Sequence, residues 1–307
     1  MEQQLYDAAI LGGGPGGYTA ALYCARAGLS AVVLEKLSPG GQMATTSNVE
    51  NYPGFEDGVD GFELGEKMKA GAERFGVETV FTNVTAADLK STPKVLTADT
   101  GTYRAKTVIL ATGASPRELG LPHEQELRGK GVAYCATCDG MLFRGKTVAV
   151  VGGGNSAAED ALFLSKICKK VFLIHRRDSL RASKSYIDAL SKAENITFIW
   201  DSAVTEFLFD KHITGIKVNN IKTRQLSTLS CDGVFVAVGR IPNTELFRDA
   251  LAADNAGYLV ADETTRTALP GVFAVGDIRT KPLRQIITAA ADGAVASKYA
   301  EEYIASL

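Results

Sequence analysis

The sequence predicts an α/β protein built from two βαβ modules of nucleotide-binding type, the second inserted into a domain formed by the first. Three observations predict this. A glycine-rich turn at residues 12–17 lies between an apolar strand and a helix. A second such turn at 152–157 repeats the arrangement about 140 residues later. Two loops punctuated by glycine and proline, 113–116 and 239–243, bracket the second module, as expected where a chain crosses between domains.

Each element follows from its composition. Residues 7–11 (DAAIL) and 31–35 (AVVLE) read as buried strands, with an Ala/Gly/Leu-rich helix over 15–28 between them. That is one parallel crossover of about 30 residues. In the second module, 147–151 (TVAVV) and 170–174 (KVFLI) are the strands and 155–167 the helix. The spacing also predicts an amphipathic helix over 61–75, strands at 77–81 and 106–110, and a hairpin of 204–209 with 213–218 around Lys211 and His212. Further strands are expected at 232–238 and 272–275, and a closing helix at 285–304. The expected domains are 1–114 plus 243–307, and 115–242.

Composition narrows the function classes. The 307 residues are 46% hydrophobic and 22% charged, with a net charge of −2. No basic excess marks a nucleic-acid footprint. The longest apolar stretches are strand-length, short of the roughly 20 residues of a membrane span. Met1 to Tyr6 lacks the pattern of a signal peptide. A soluble cytoplasmic protein with no nucleic-acid or membrane partner is the expectation.

The first glycine turn, Gly12-Gly13-Gly14-Pro15-Gly16-Gly17, has the form G-x-G-x-x-G. Gly12 permits the tight turn, Gly14 admits a pyrophosphate to the backbone, and Gly17 lets helix and strand approach. Glu35 closes the following strand, where a carboxylate accepts hydrogen bonds from a ribose diol. The second turn, Gly152-Gly153-Gly154-Asn155-Ser156-Ala157, places Ala157 at the third glycine's position, a tolerated variant. Glu35 lies 23 positions after Gly12, and the same step from Gly152 reaches His175. The acid is replaced there, and Arg176, Arg177 and Arg181 follow. A carboxylate repels a ribose 2′-phosphate, whereas arginines bind it through charge-assisted hydrogen bonds. The first site therefore suits an unphosphorylated ribose and the second NADP(H). Two dinucleotide sites in one chain imply a relay, with FAD and NADPH as the economical pair.

Of the five cysteines, only Cys135 and Cys138 form a pair, in Cys135-Ala136-Thr137-Cys138-Asp139-Gly140. Cys-x-x-Cys motifs commonly lower thiolate pKa values and form redox disulfides. Zinc is the alternative, but a tetrahedral site needs four ligands, and no second Cys-x-x-Cys exists. Cys24, Cys168 and Cys231 sit among apolar neighbours and read as small core residues. His123, His175 and His212 show no metal spacing, so no metal is expected. Asp139 is either a turn residue or the acid that protonates a thiolate or flavin during exchange.

These motifs, together with Gly40-Gly41-Gln42-Met43, Val49-Glu50-Asn51-Tyr52-Pro53-Gly54-Phe55, Ala111-Thr112-Gly113-Ala114 and Val275-Gly276-Asp277, resemble the low-molecular-weight, bacterial-type thioredoxin reductases over essentially the whole chain. The resemblance implies two Rossmann-like domains, for FAD and NADPH, joined by a two-stranded hinge and rotating against each other. It implies that Gln42, Asn51, Gly113 and Asp277 contact FAD and that Arg284, Gln285 and Ile286 lie beside the flavin, with the last helix directing its positive end at the pyrimidine. Cys138 would face the flavin, and Cys135 would attack the disulfide of thioredoxin. A homodimer is usual in that family. The larger glutathione-reductase class is excluded, because residues 36–60 hold no Cys and the last His is His212. Two alternatives stand beside thioredoxin reduction: the same chemistry on a glutaredoxin-like or small disulfide partner, and a redox-sensing flavoprotein without turnover.

Overall fold

The structure is a computed structural model that describes residues 4–46 and 48–307. The chain divides into two compact units, Met1–Ser115 with Ile241–Leu307, and Pro116–Arg240. In chain order the first unit begins with β1 (Leu5–Leu11), α1 (Pro15–Arg26), β2 (Ala31–Glu35), α2 (Gly61–Glu73), β3 (Glu78–Phe81), β4 (Val84–Asp88), β5 (Lys94–Ala98) and β6 (Gly101–Leu110). The crossing strand β7 (Ala114–Pro116) leads to the second unit. That unit holds β8 (Val132–Ala133), α3 (Ala136–Asp139), β9 (Thr147–Gly152), α4 (Asn155–Ser165), β10 (Lys170–Ile174), α5 (Lys184–Ser191) and β11 (Ile196–Ile199). It continues with β12 (Ser202–Phe209), β13 (Ile213–Asn220), β14 (Leu226–Ser230) and β15 (Gly233–Ala237). The return strand β16 (Arg240–Pro242) pairs with β7, and β17 (Val272–Ala274) and α6 (Ile286–Ala305) complete the first unit.

The main sheet of the first unit runs β3-β2-β1-β6-β5-β4, with β17 also on β6. The β3, β2, β1, β6 and β17 pairings are parallel, whereas β4, β5 and β6 form an antiparallel extension. Both faces of β1 are covered: Ala9 and Leu11 enter one core, Ala8 and Ile10 the other. This is why the strand is apolar at consecutive positions rather than alternating. The second unit repeats the design in the parallel sheet β11-β10-β9-β15-β8. Val148 and Val150 face one core, Ala149 and Val151 the other. A separate antiparallel sheet, β12-β13-β14, covers the second of these cores.

Every element expected from the sequence is present, with ends shifted by a few residues. The sequence reading did not foresee β4, β5, β8, β11, β14, α3 and α5. The exposure pattern explains part of this. β14 is exposed at four of its five positions, and β4 is not buried at any. Neither strand therefore needs the apolar alternation by which strands are recognised. Among the described residues, no helix is long and apolar enough to cross a membrane.

Helices α1 and α6 meet through glycine. A Cβ on Gly293 would stand 2.2 Å from the Gly16 carbonyl oxygen. A buried ionic cluster ties α6 to the segment that precedes it. Asp292 accepts hydrogen bonds from Arg279 Nε (2.8 Å) and Nη2 (2.7 Å), Lys281 Nζ (2.8 Å) and the Gly276 amide (2.8 Å). Burial alone would raise its carboxyl pKa, but these donors hold it below the usual carboxylate range. The cluster fixes the turn at Gly276–Ile278 against α6. Removing one partner of such a set strands the other charges without compensation. Asp292→Ala should therefore cost about 3–5 kcal/mol, read by calorimetry as a large fall in the melting temperature. An unchanged melting temperature would show that the cluster adds nothing to stability.

Candidate active site

Three substructures carry the chemistry, and the first is the turn between β1 and α1. Gly12 has φ +101°, where only glycine is unstrained. A Cβ on Gly17 would lie 1.9 Å from the Gly12 carbonyl oxygen, so α1 begins in contact with the end of its strand. Gly14, by contrast, has open space where a side chain would point. The helix has Pro15 at its start, no side-chain cap and no acidic residue in its first turn. Its first N–H groups are thus left for an anion. Glu35, at the end of β2, is 9% exposed and accepts the Gly13 amide at 2.6 Å and the Leu37 amide at 3.0 Å.

The remaining first-unit residues gather nearby in the fold. Asn51 donates to the Gln285 side-chain oxygen at 3.0 Å, joining positions 234 apart in sequence. Gln285 is the N-cap of α6 and forms a capping box with Thr288. Ile286, the first residue of α6, packs on the apolar group of Met43, Val49, Val59 and Leu64. Gln42 lies in the short 3-10 turn Gly41–Thr45, and Asp277 in the turn Gly276–Ile278. Arg284 stacks on Tyr258, 3.8 Å from the ring centre, and donates to the Arg279 carbonyl at 3.2 Å. Its buried Nε has no protein partner. Gly113, at φ +68°, is followed by the crossing strand, and its carbonyl accepts the Asn243 amide at 3.0 Å.

The second substructure is the turn between β9 and α4. Gly152 has φ +159°. Gly154 is the N-cap of α4, without a side-chain cap and with open space beside it. Asn155 and Ser156 are exposed and Ala157 is buried. His175 is 6% exposed and lies directly under the turn: a Cβ on Gly153 would stand 2.1 Å from its Cε1. Burial lowers the imidazole pKa, and Arg181, Arg176 and Arg177 lower it further. Its Nε2 has no partner in the protein. The Arg181 amide donates to the Gly153 carbonyl at 2.7 Å, and the Ser183 amide to the Asn155 side chain at 2.8 Å. The three arginine side chains are exposed.

The third substructure is the cysteine pair. Cys135 and Cys138 form a disulfide, with Cα atoms 5.3 Å apart. Cys135 is the N-cap of α3, and Cys138 lies within that helix. Asp139, the last residue of α3, is mostly buried. Desolvation pushes its carboxyl up to about 6, with Arg128 acting in the opposite direction. The remaining cysteines are buried and unpaired. Burial raises each of their thiols, to about 12 for Cys24 and Cys231 and about 11 for Cys168. They are therefore poor nucleophiles.

Two supporting acids escaped the sequence reading. Glu124 is 2% exposed and accepts the amides of Leu119, Gly120 and Leu121 as well as the Tyr134 hydroxyl. It braces the segment leading to Cys135. Asp160 is half-buried on α4, the helix that packs on α3, and desolvation pushes its carboxyl up to about 7. Nothing in the local sequence singles out either residue.

The comparisons with known proteins agree with this geometry. Residues 6–293 match the family described as pyridine nucleotide-disulphide oxidoreductase. The chain belongs to that family. It is 48% identical to a thioredoxin reductase of Streptomyces coelicolor over 301 residues, covering 97% of this chain and 94% of the relative. It is 45% identical to one from Listeria monocytogenes over 307 residues, covering 100% and 96%. The crystal structure of thioredoxin reductase from Streptococcus pyogenes superposes with a TM-score of 0.92 at 43% identity, over 99% of each chain. The cofactors of this class of enzyme are FAD and NADPH, and the donor sets fit them. Both turns present uncapped helix N-termini with open space beside Gly14 and Gly154, the Glu35 carboxylate ends the strand after the first, and exposed arginines follow the strand after the second.

Gly17→Ala places a methyl group into the Gly12 carbonyl and must push α1 from β1. It should yield protein with much less bound flavin, read from the visible absorbance per chain. Retention of a full flavin complement would show that the close approach of helix and strand is not needed for binding.

Proposed function

We propose that the chain reduces the disulfide of thioredoxin with electrons from NADPH, passed through FAD to the Cys135–Cys138 pair. The observation that carries this reading is the disulfide itself, which lies in the same chain as two uncapped glycine turns of opposite ribose chemistry. The thioredoxin reductases of Streptomyces coelicolor and Listeria monocytogenes, matched over nearly their whole lengths, support the choice of partner. Met141 and Leu142, next to the pair, are 42% and 47% exposed and offer apolar area to a protein partner.

In this reading the unit Met1–Ser115 with Ile241–Leu307 holds FAD. Gly12, Gly14 and Gly17 receive its pyrophosphate, and Glu35 its adenosine ribose. Gln42, Asn51, Gly113 and Asp277 contact the remainder, while Arg284, Gln285 and Ile286 line the flavin side. The unit Pro116–Arg240 holds NADPH. Gly152, Gly154, Asn155, Ser156 and Ala157 form its phosphate turn, and His175, Arg176, Arg177 and Arg181 its 2′-phosphate site. When bound, the flavin takes a hydride from the nicotinamide and delivers an electron pair to a disulfide.

The chain's own residues do the rest. Reduction opens the Cys135–Cys138 bond and leaves a dithiol. The Cys135 thiolate attacks one sulfur of thioredoxin's disulfide and releases the other as a thiolate. Cys138 then attacks Cys135 in the mixed disulfide, which frees reduced thioredoxin and restores the starting bond. Asp139, with its carboxyl raised to about 6, supplies or accepts the proton that each thiolate needs. We further infer a homodimer in the cytoplasm.

Cys135→Ser and Cys138→Ser should each retain flavin and lose NADPH-driven thioredoxin reduction. Full turnover by either variant would overturn the scheme. Replacing Arg176 and Arg177 by Ala should raise the KM for NADPH by roughly 100-fold or more while leaving that for NADH nearly unchanged, because each of the two charge-assisted phosphate contacts is worth roughly 1.5–3 kcal/mol, about 10- to 150-fold. Equal effects on both cofactors would contradict the 2′-phosphate assignment.

A further inference from the structure

The exposed arginine segment after β10 is held by two turns of the second unit. The first follows β11. There the Asp201 amide donates to the Arg177 carbonyl at 3.1 Å, and the Ser202 amide donates to the His175 carbonyl at 3.0 Å. Asp201 adopts φ +49°, a left-handed conformation that Asp tolerates better than most residues. Its side chain is 18% accessible. The second turn joins β13 to β14. It docks on the first through the Ile221 amide, which donates to the Asp201 carbonyl at 2.6 Å. The Asn220 side-chain oxygen shapes this turn by accepting the amides of Lys222 (3.1 Å) and Thr223 (2.9 Å).

Lys222 is where the two turns and the arginine segment meet. Its Nζ lies 3.1 Å from Asp178 Oδ2 and 3.0 Å from Asp201 Oδ1. Both carboxylates belong to residues beside Arg177: Asp178 follows it in sequence, and Asp201 is bonded to its carbonyl. A single exposed ion pair contributes little. Here one ammonium serves two carboxylates, one of them largely shielded from solvent, on backbone that hydrogen bonds already fix. Without that ammonium, two negative charges would stand uncompensated next to the arginines. They would compete for the guanidinium groups and repel an incoming phosphate. With it, the side chains of Arg176 and Arg177 are exposed and, among the described residues, take part in no ion pair.

We propose that Lys222 is a positioning residue that sets nucleotide specificity: it occupies Asp178 and Asp201, and so leaves Arg176 and Arg177 for a ribose 2′-phosphate. The proposal rests on the reading that the arginine segment binds that phosphate. Lys222 acts through the two carboxylates, so its effect falls on the phosphate and not on the rest of the nucleotide. It is supplied by the antiparallel sheet, outside the βαβ module whose specificity it tunes.

The experiment titrates the oxidised, flavin-loaded enzyme with two fragments that differ only in the 2′-phosphate. Calorimetry follows 2′,5′-ADP, and ligand-observed NMR follows the weaker 5′-AMP. Lys222→Ala should weaken 2′,5′-ADP roughly 3- to 10-fold, as expected for uncompensated charge beside a bound anion, and leave 5′-AMP unchanged. Lys222→Arg should restore the affinity. Adding Asp178→Asn to Lys222→Ala should also recover part of it, because one of the freed carboxylates is then neutral. Unchanged binding of 2′,5′-ADP by Lys222→Ala would overturn the proposal, as would an equal loss for both fragments or no recovery in the Arg and Asn variants. A wild-type enzyme that binds both fragments equally would overturn the 2′-phosphate reading and this proposal with it. A wild-type preference for 2′,5′-ADP that Lys222→Ala does not alter would overturn the proposal alone. No turnover enters the readout.

Discussion

Helix α1 begins against the backbone of β1 because residue 17 has no side chain, and α4 begins against β9 in the same manner with only a methyl group at residue 157. That close approach is the constraint on which the rest depends. It brings unpaired N–H groups to the carboxyl end of a parallel sheet, where no side chain stands between them and an incoming phosphate. Once two such ends exist in one chain, what distinguishes them is the residue at the end of the next strand. Glu35 is already bonded to the backbone of its own turn and presents a fixed carboxylate. At the equivalent place in the second unit, a buried His175 supports the turn from below while the arginines stay exposed. One geometry thus serves two nucleotides of different charge.

The redox pair is built on a different principle. α3 is a single turn of helix, too short to be stable by itself, and it is held from outside. Glu124 ties down the segment that leads to it, and α4 packs on its far end. Burial pushes the carboxyl of Asp139, next to the pair, up to about 6. Such a group exchanges protons at the pH where thiol and thiolate interconvert. The other cysteines, buried among apolar side chains, are kept out of this chemistry by the same desolvation that activates the acid.

Much of this architecture was legible in the sequence because parallel strands buried on both faces are written as short apolar runs, and because the glycine turns admit few alternatives. Register was informative as well: the step from Gly12 to Glu35, repeated from Gly152, reached His175 and its arginines. Elements exposed to solvent were not legible. β14 carries little apolar patterning, and the antiparallel extension of β4 and β5 depends on pairing with β6 rather than on burial. Supporting residues were hidden for a related reason. Asp292 and Glu124 resemble ordinary surface acids in the sequence, and only the fold reveals that each is buried and satisfied by backbone amides or by a cation. The bond between Asn51 and Gln285 joins segments 234 residues apart, a juxtaposition that no local pattern encodes.

The central claim is that two electron-accepting centres, a flavin and the Cys135–Cys138 disulfide, are connected in series within one chain. An anaerobic titration of the purified protein with NADPH, following flavin absorbance and counting thiols that react after denaturation, tests it most directly. Two centres in series predict that about two equivalents of NADPH per chain are taken up, since each centre accepts one electron pair, with two new thiols that map to Cys135 and Cys138. Bleaching complete at one equivalent with no new thiols, or a polypeptide that binds no flavin, would contradict the account.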